Sequence, residues 1–440
     1  MSQGFLRFLV LGSVLALLAG CGGSSNTNGS SGGSGGGSGG GGNPTTVTIT
    51  FKGPAPAAVA ARIGTGAFVA QTLSSSVLSL SIPSGTSNFA VAFVCPPLPV
   101  TSGGAQIGQT VEESVIEAST ADGTAFTQTC PTSSPTGTTG ILTGSVDASA
   151  IAGVSFLNID AQSGDLSASV YSGSSTANFS FSAPAGNDRV DVLAYNSVLQ
   201  GTAETFSLVG IRNFSSQTVP GILNAGNTVV LSSADQIILE PITYGNVPSG
   251  FSAPSTLALY QTAGGGGFVL ANAATSQYPA VPTGAIQTGD LYGFLATARN
   301  NSQAVAAYLY ASAGGSVSFT FPAPWSYGGP TPAALPTFDF TYSGFSGKSG
   351  VSQGAAIAWS TGTSSESVLS IAATTNYQGA STSLTIPDLS GISGFLAAPK
   401  SGTAVAWSAL IAQSSGSALQ TSSSNAASMV VQNSGAYTLP

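Results

Sequence analysis

Apolar and polar residues alternate along most of this chain. Val47-Thr-Ile-Thr-Phe51, Leu78-Ser-Leu-Ser-Ile82, Phe179-Ser-Phe181, Ser316-Val-Ser-Phe-Thr-Phe321 and Phe338-Asp-Phe-Thr-Tyr342 all carry the period of a half-buried strand. Gly, Pro, Asn and Ser break these runs about every 8–12 residues, which is the rhythm of short strands joined by turns. One stretch reads differently. Thr110 to Ala118 places Val111 and Val115 on one face of a helix, with Glu113 and Glu117 together on a solvated face beside Glu112. The pattern predicts an all-β protein with that one helix.

The alternation also repeats on a longer scale. Leu80-Ser-Ile-Pro83-Ser-Gly85, Phe181-Ser-Ala-Pro184-Ala-Gly186, Tyr278-Pro-Ala-Val-Pro282-Thr-Gly284 and Leu384-Thr-Ile-Pro387-Asp-Leu-Ser-Gly391 share an order of strand, Pro and Gly-containing turn. Their prolines are 101, 98 and 105 residues apart. The next strands are expected near Phe89, Val190, Leu291 and Phe395. Upstream of each Pro lies a hairpin-like pair: Ala60–Val69, Val154–Val170, Leu257–Leu270 and Ile357–Ile371. About one hundred residues with six or seven strands suit a two-sheet sandwich. The chain therefore divides into residues 1–20, a linker 21–45, and four tandem β-sandwich repeats at 46–139, 140–227, 228–335 and 336–440. The competing division is into fewer, double-length sandwiches. In size and strand rhythm the repeats resemble immunoglobulin-like or fibronectin-type modules of bacterial surface proteins, although the Cys-Trp-Cys spacing of immunoglobulin domains is missing.

The amino-terminal stretch breaks the β pattern. Arg7 precedes an apolar run, Phe8 to Leu18, about 11 residues long and short of the roughly 20 that span a bilayer. Charge, then apolar core, then small residues is the order of a signal peptide. Leu18-Ala19-Gly20-Cys21 resembles the lipobox of bacterial lipoproteins. The resemblance implies cleavage before Cys21, a diacylglycerol thioether on its sulfur and acylation of the new amine, as with palmitate. Several acyl chains, at roughly 0.8 kcal/mol per buried CH₂, anchor firmly. Gly22 stands where Asp would imply inner-membrane retention, so the expected address is the outer membrane or cell surface. Residues 22–43 are nearly all Gly, Ser and Asn, the composition of a flexible tether with a mean span of roughly 25 Å.

Composition narrows the chemistry. Charged residues are 5% of the chain, against a usual ~25%. Once Arg7 is removed, seven cations face sixteen acids, a net of −9. That balance disfavours nucleic acid and anionic membrane surfaces as partners. With so few ionisable groups, stability is expected to change little between about pH 7 and 3.5. Zero His removes Ser-His-Asp and Cys-His catalysis and His-based metal sites. Gly32-Gly33-Ser34-Gly35-Gly36 matches a serine-hydrolase pattern only in form, because no strand precedes it. Gly347-Lys348-Ser349 lacks the upstream Gly of a phosphate loop, since Tyr342 stands there.

Several residues remain as candidates. With Cys21 assigned to lipid, Cys95 and Cys130 are expected to form a disulfide in an oxidising compartment. Asn158, Asp160 and Asp165 offer oxygen ligands for calcium in a turn, without the Gly of an EF-hand loop. Asn187, Asp188 and Asp191 form a second oxygen-rich turn, where Arg189 argues for an ion pair instead. Trp359 and Trp407 alternate with alanines as core residues do. Trp325 and Tyr327, in a Pro/Gly loop, are candidates for exposed stacking on a sugar; the competing role is a ring covering a domain junction. Together these features predict a non-enzymatic, cofactor-free, lipid-anchored envelope protein with a structural, adhesive or interaction role, partnered by the membrane and by a glycan or surface protein. A carbohydrate-binding lipoprotein is the first alternative. A glycan hydrolase using two carboxylates is the second.

Overall fold

The computed structural model describes residues 43–102, 105–131, 138–161, 166–170, 175–200, 203–263, 266–362, 364–414 and 427–440. Cys21, the Gly/Ser tether and Asp165 lie outside the described residues. Strand makes up 58% of the described structure and helix 5%, and no barrel closes among the described residues. The all-β expectation holds.

The strands pair in an order that recurs four times, and each recurrence is called a unit below. Unit 1 contains β1 Thr45–Lys52, β2 Ala58–Ile63, β3 Val69–Ala70, β4 Val77–Ile82, β5 Asn88–Val94, β6 Leu98–Ser102, β7 Ala105–Ser119 and β8 Ala125–Thr129. Unit 2 contains β9 Thr139–Asp147, β10 Phe156–Ala161, β11 Leu166–Val170, β12 Thr176–Pro184, β13 Gly186–Gln200, β14 Ala203–Val219, β15 Gly221–Ile222 and β16 Val229–Val230. Unit 3 contains β17 Ile238–Gly245, β18 Ser255–Gln261, β19 Gly267–Ala274, β20 Gln277–Ala280, β21 Leu291–Arg299, β22 Gln303–Ala311 and β23 Val317–Thr320. Unit 4 contains β24 Thr337–Asp339, β25 Val351–Ser360, β26 Glu366–Thr374, β27 Ser383–Thr385, β28 Ala404–Ser414 and β29 Ala427–Thr438.

In each unit two hairpins share one sheet. Unit 1 has the order β3-β2-β5-β7, and β11-β10-β13-β14, β19-β18-β21-β22 and β26-β25-β28-β29 repeat it. The strands before, between and after the hairpins form a small second sheet: β4-β1-β8, β12-β9 with β15 and β16, β20-β17-β23, and β24-β27. In the first three units the opening strand pairs antiparallel on one edge and parallel on the other. The four prolines that mark the sequence repeat all fall at the same turn, where the chain leaves the small sheet.

The apolar sides of the alternating strands explain these layers. Val47, Ile49 and Phe51 of β1 and Leu78, Leu80 and Ile82 of β4 face Phe89, Val91 and Phe93 of β5 across one core. Leu142, Val146 and Phe179 face Leu157, Ile159, Val190 and Val192 in the same way. Units 3 and 4 share a larger core, which also takes Leu193, Tyr195 and Leu208 from unit 2 and Val115 from unit 1.

This arrangement departs from the immunoglobulin one, in which the first, second, fifth and fourth strands share a sheet. Here the first strand pairs with the fourth, and the second with the fifth. The hairpin sheets of the units also join edge to edge. β14 meets β19, β22 meets β29, and β26 meets β7, so the spatial order of units is 2-3-4-1. The last seam is parallel and pairs Leu369 with Glu113 and Ala373 with Glu117.

Three local expectations are corrected. Thr110–Ala118 is strand, because β7 lies between β5 and β26 and hydrogen bonds to both; residues flanked on both edges have no free helical face. The strand expected near Phe395 is a loop, and the following strand begins at Ala404. Phe395 and Leu396 instead pack against the shared core, and the Leu396 N–H bonds across to Glu113. Val229–Val230 pairs with β9, so unit 2 runs past residue 227.

Candidate functional site: the junctions between units

The residues singled out for chemistry converge on the places where units meet. At the junction of units 2 and 3, Arg189 of β13 is 8% exposed and Asp191 and Asp290 are nearly fully buried. Arg189 donates from Nε to Asp191 at 3.0 Å and from Nη1 to Asp290 at 2.7 Å. Asp290 precedes β21 and also accepts from Tyr260 Oη at 2.8 Å, the Gln287 N–H at 2.9 Å and the Ala263 N–H at 3.0 Å. Asn213 donates to Asp191 at 2.8 Å and accepts from Gln287 at 3.0 Å. Burial pushes Asp290 up, but these donors outweigh it and hold the carboxyl below the usual range. For Asp191 burial wins over Arg189 and Asn213, and its carboxyl is raised. A buried charge network of this kind is stable only when its members stay paired. The ion pair expected of Arg189 is thus present, and it reaches across to the next unit.

At the junction of units 4 and 1, Arg62 of β2 pairs with Glu117 and donates to Tyr377 Oη at 2.7 Å. Tyr377 belongs to the short helix Thr375–Gln378, which follows β26. Asp122 accepts from Thr374 Oγ1 at 2.6 Å and from Asn376 at 2.7 Å. Glu113 is 1% exposed, and its Oε2 accepts the Leu396 N–H at 2.8 Å. Burial lifts Glu113 to about 7; the Leu396 hydrogen bond opposes the rise and Asp388 adds to it. Burial also lifts Glu366 to about 7, with Glu112 contributing. The acidic stretch is therefore a buried seam and not a solvated helix face. Raised carboxyls at this seam argue against a flat pH profile, because a low charge count matters less than where the charges lie.

At the junction of units 3 and 4, Trp325 is 3% exposed. Its ring stacks on Tyr327 at 4.8 Å and Phe340 at 5.5 Å, and Tyr327 meets Trp407 edge-on at 5.7 Å. Its carbonyl accepts from Asn433 at 2.7 Å and Gln303 at 3.0 Å, one residue from each strand of the seam. Gly435 lies opposite Trp407 on β29, and a Cβ there would come within 2.8 Å of the indole. Of the two roles open to Trp325, exposed stacking is corrected and the competing one stands: the ring is buried on Tyr327 and Phe340 and covers a junction. Tyr327 is half-buried against it. A ring closed off in this way presents no face to a sugar, so the carbohydrate reading loses its principal residues.

The remaining candidates are placed as follows. Cys95 and Cys130 form a disulfide that ties the end of β5 to the end of β8. Asn158 and Asp160 lie on strand β10 and not in a turn, with Asn158 donating to Asp160 at 2.7 Å. Among the described residues no group of three His, Cys, Asp or Glu is arranged to hold a metal. Asp290, Tyr377 and Glu366 were not singled out in the sequence. For Asp290 and Glu366 the one signal is rarity, because in a chain with 5% charge each carboxylate is conspicuous; Tyr377, one of twelve tyrosines, carries none.

No protein-family model matches the chain, and no curated protein matches it. The crystal structure of a candidate adhesin from Bacteroides ovatus is similar over 40% of this chain and 72% of that one, at 12% identity and a TM-score of 0.15. A likeness that slight bears on neither fold nor function.

Proposed function

We propose that this protein is a lipid-anchored component of a bacterial cell envelope, displayed at the outer membrane or cell surface in a structural, adhesive or interaction role without catalysis. The observation that carries this reading is Leu18-Ala19-Gly20-Cys21, followed at once by a Gly/Ser tether. Among the described residues no helix is long and apolar enough to cross a membrane, which leaves anchoring by lipid consistent with the body of the chain. The seams support the same reading. Edge-to-edge pairing between units, extensive at the 3–4 and 4–1 seams, and buried junction side chains suit a body that holds its shape at the end of a tether. Glu113 and Glu117, from the densest run of acids in the sequence, are engaged in junction contacts, which favours display over catalysis.

Replacing Cys21 with Ser tests the anchor. The variant is expected to leave the membrane fraction while keeping its fold. A variant that stays membrane-bound after a high-salt wash contradicts the reading.

A further inference from the structure

The three seams differ in their charge. Glu112, Glu113 and Glu117 of β7 and Glu366 of β26 all lie along the junction of units 4 and 1. Arg62 is the cation paired there, and it serves Glu117. Glu113 faces instead the Leu396 N–H and the Asp388 carboxylate, both on the segment between β27 and β28. On the other face of the seam Glu366 is 8% exposed, faces Glu112, and keeps Oε1 buried without a hydrogen-bond partner. Tyr377 packs at this junction against Arg62 and Glu117, and Asp122 accepts there from Thr374 and Asn376.

We propose that this seam is an acid-tightened joint, in which protons on Glu113 and Glu366 keep unit 1 docked on unit 4 and their loss above neutral pH loosens it. A protonated carboxyl still accepts the Leu396 N–H and needs no counter-charge. An ionised one is left in a buried site beside like charge, which is costly. Both carboxyls are raised to about 7 in the folded chain, so the docked state holds protons that the open state releases. Docking therefore strengthens as pH falls from about 8 toward 5. At the junction of units 2 and 3 the two carboxyls are displaced in opposite directions, Asp290 lowered by Arg189 and its other donors and Asp191 raised by burial, so their responses to acid oppose each other. One chain thus carries a joint that mild acid closes beside a joint that mild acid leaves intact.

Hydrogen exchange of the full-length protein in detergent, at pH 6 and pH 8 and corrected for intrinsic rates, tests this. Amides of β7 and β26 are expected to open at least about tenfold more at pH 8. Amides of β13 and β14 serve as the reference and are expected to stay within about twofold. The Glu113→Gln/Glu366→Gln variant keeps acceptors and cannot ionise, so its β7 and β26 amides should lose the pH response. An unchanged seam between pH 6 and 8 in the wild type, or an equal response at β13 and β14, overturns the proposal whether or not the variant folds. A variant that folds and keeps the full response also overturns it.

Discussion

Arg189 and Asp290, 101 residues apart in sequence, meet at 2.7 Å in a buried ion pair that joins units 2 and 3. Asp290 is loaded with three further donors, so its removal strands several groups at once. Asp290→Ala should destabilise the protein by about 3–5 kcal/mol, the usual cost of leaving a buried charge unpaired. Denaturant unfolding measures it. A loss below about 1 kcal/mol would mean that water already reaches Arg189.

Cys95 and Cys130 close a loop whose ends are 35 residues apart. The chain-entropy model assigns such a cross-link roughly 3.8 kcal/mol. The Cys95→Ala/Cys130→Ala variant is expected to lose about 2–4 kcal/mol, with the loss concentrated in unit 1. Hydrogen exchange that rises in β1, β5 and β8 while β21 and β22 stay protected would bear this out. A uniform rise would show that the units unfold together.

Trp325 supplies a third prediction. Trp325→Ala should cost about 3–5 kcal/mol, as large-to-small changes in a core do. Trp325→Phe should cost much less, because the indole N–H has no hydrogen-bond partner to lose. If both variants melt like the wild type, the ring does not hold the junction.

The pH profile of global stability follows from buried carboxyls of opposite kinds. Burial raises Glu113 and Glu366 to about 7 from an ordinary carboxyl value of 4.5. Each therefore adds up to about 3 kcal/mol at pH 4.5 relative to pH 8, a contribution lost as pH rises through 7. Asp290 is lowered, so its contribution is present at neutral pH and lost as pH falls through its folded value. The thermal midpoint should climb from pH 8 to about 5 and then decline in stronger acid. A midpoint that stays level between pH 8 and 5 contradicts the burial of these side chains.

Much of the fold was legible in the sequence, for a physical reason. Strands with one buried face must alternate, so Val47–Phe51 and Leu78–Ile82 declared themselves. The recurring Pro83, Pro184, Pro282 and Pro387 marked a turn that all four units need. What alternation does not encode is which edge meets which. β7 pairs along both edges and buries side chains on both faces, so its residues lost the period of two and resembled a helix. The order 2-3-4-1 depends on pairings between residues some 250 positions apart, such as Glu113 with Leu369, and no local pattern reports these. The site residues were partly legible. Arg189 betrayed its ion pair by sitting between acids, whereas Trp325 stayed open between an exposed ring and a junction cover, because a Pro/Gly loop is ordinarily exposed. Here the loop crosses a junction that has no counterpart in local sequence.

The account rests most heavily on Cys21. Mass spectrometry of the mature amino terminus, on protein purified from its native host, tests that directly. The account predicts a first peptide that begins at Cys21 and carries a diacylglyceryl group and an amide-linked acyl chain. A mature chain that begins elsewhere, or an unmodified Cys21, would contradict it.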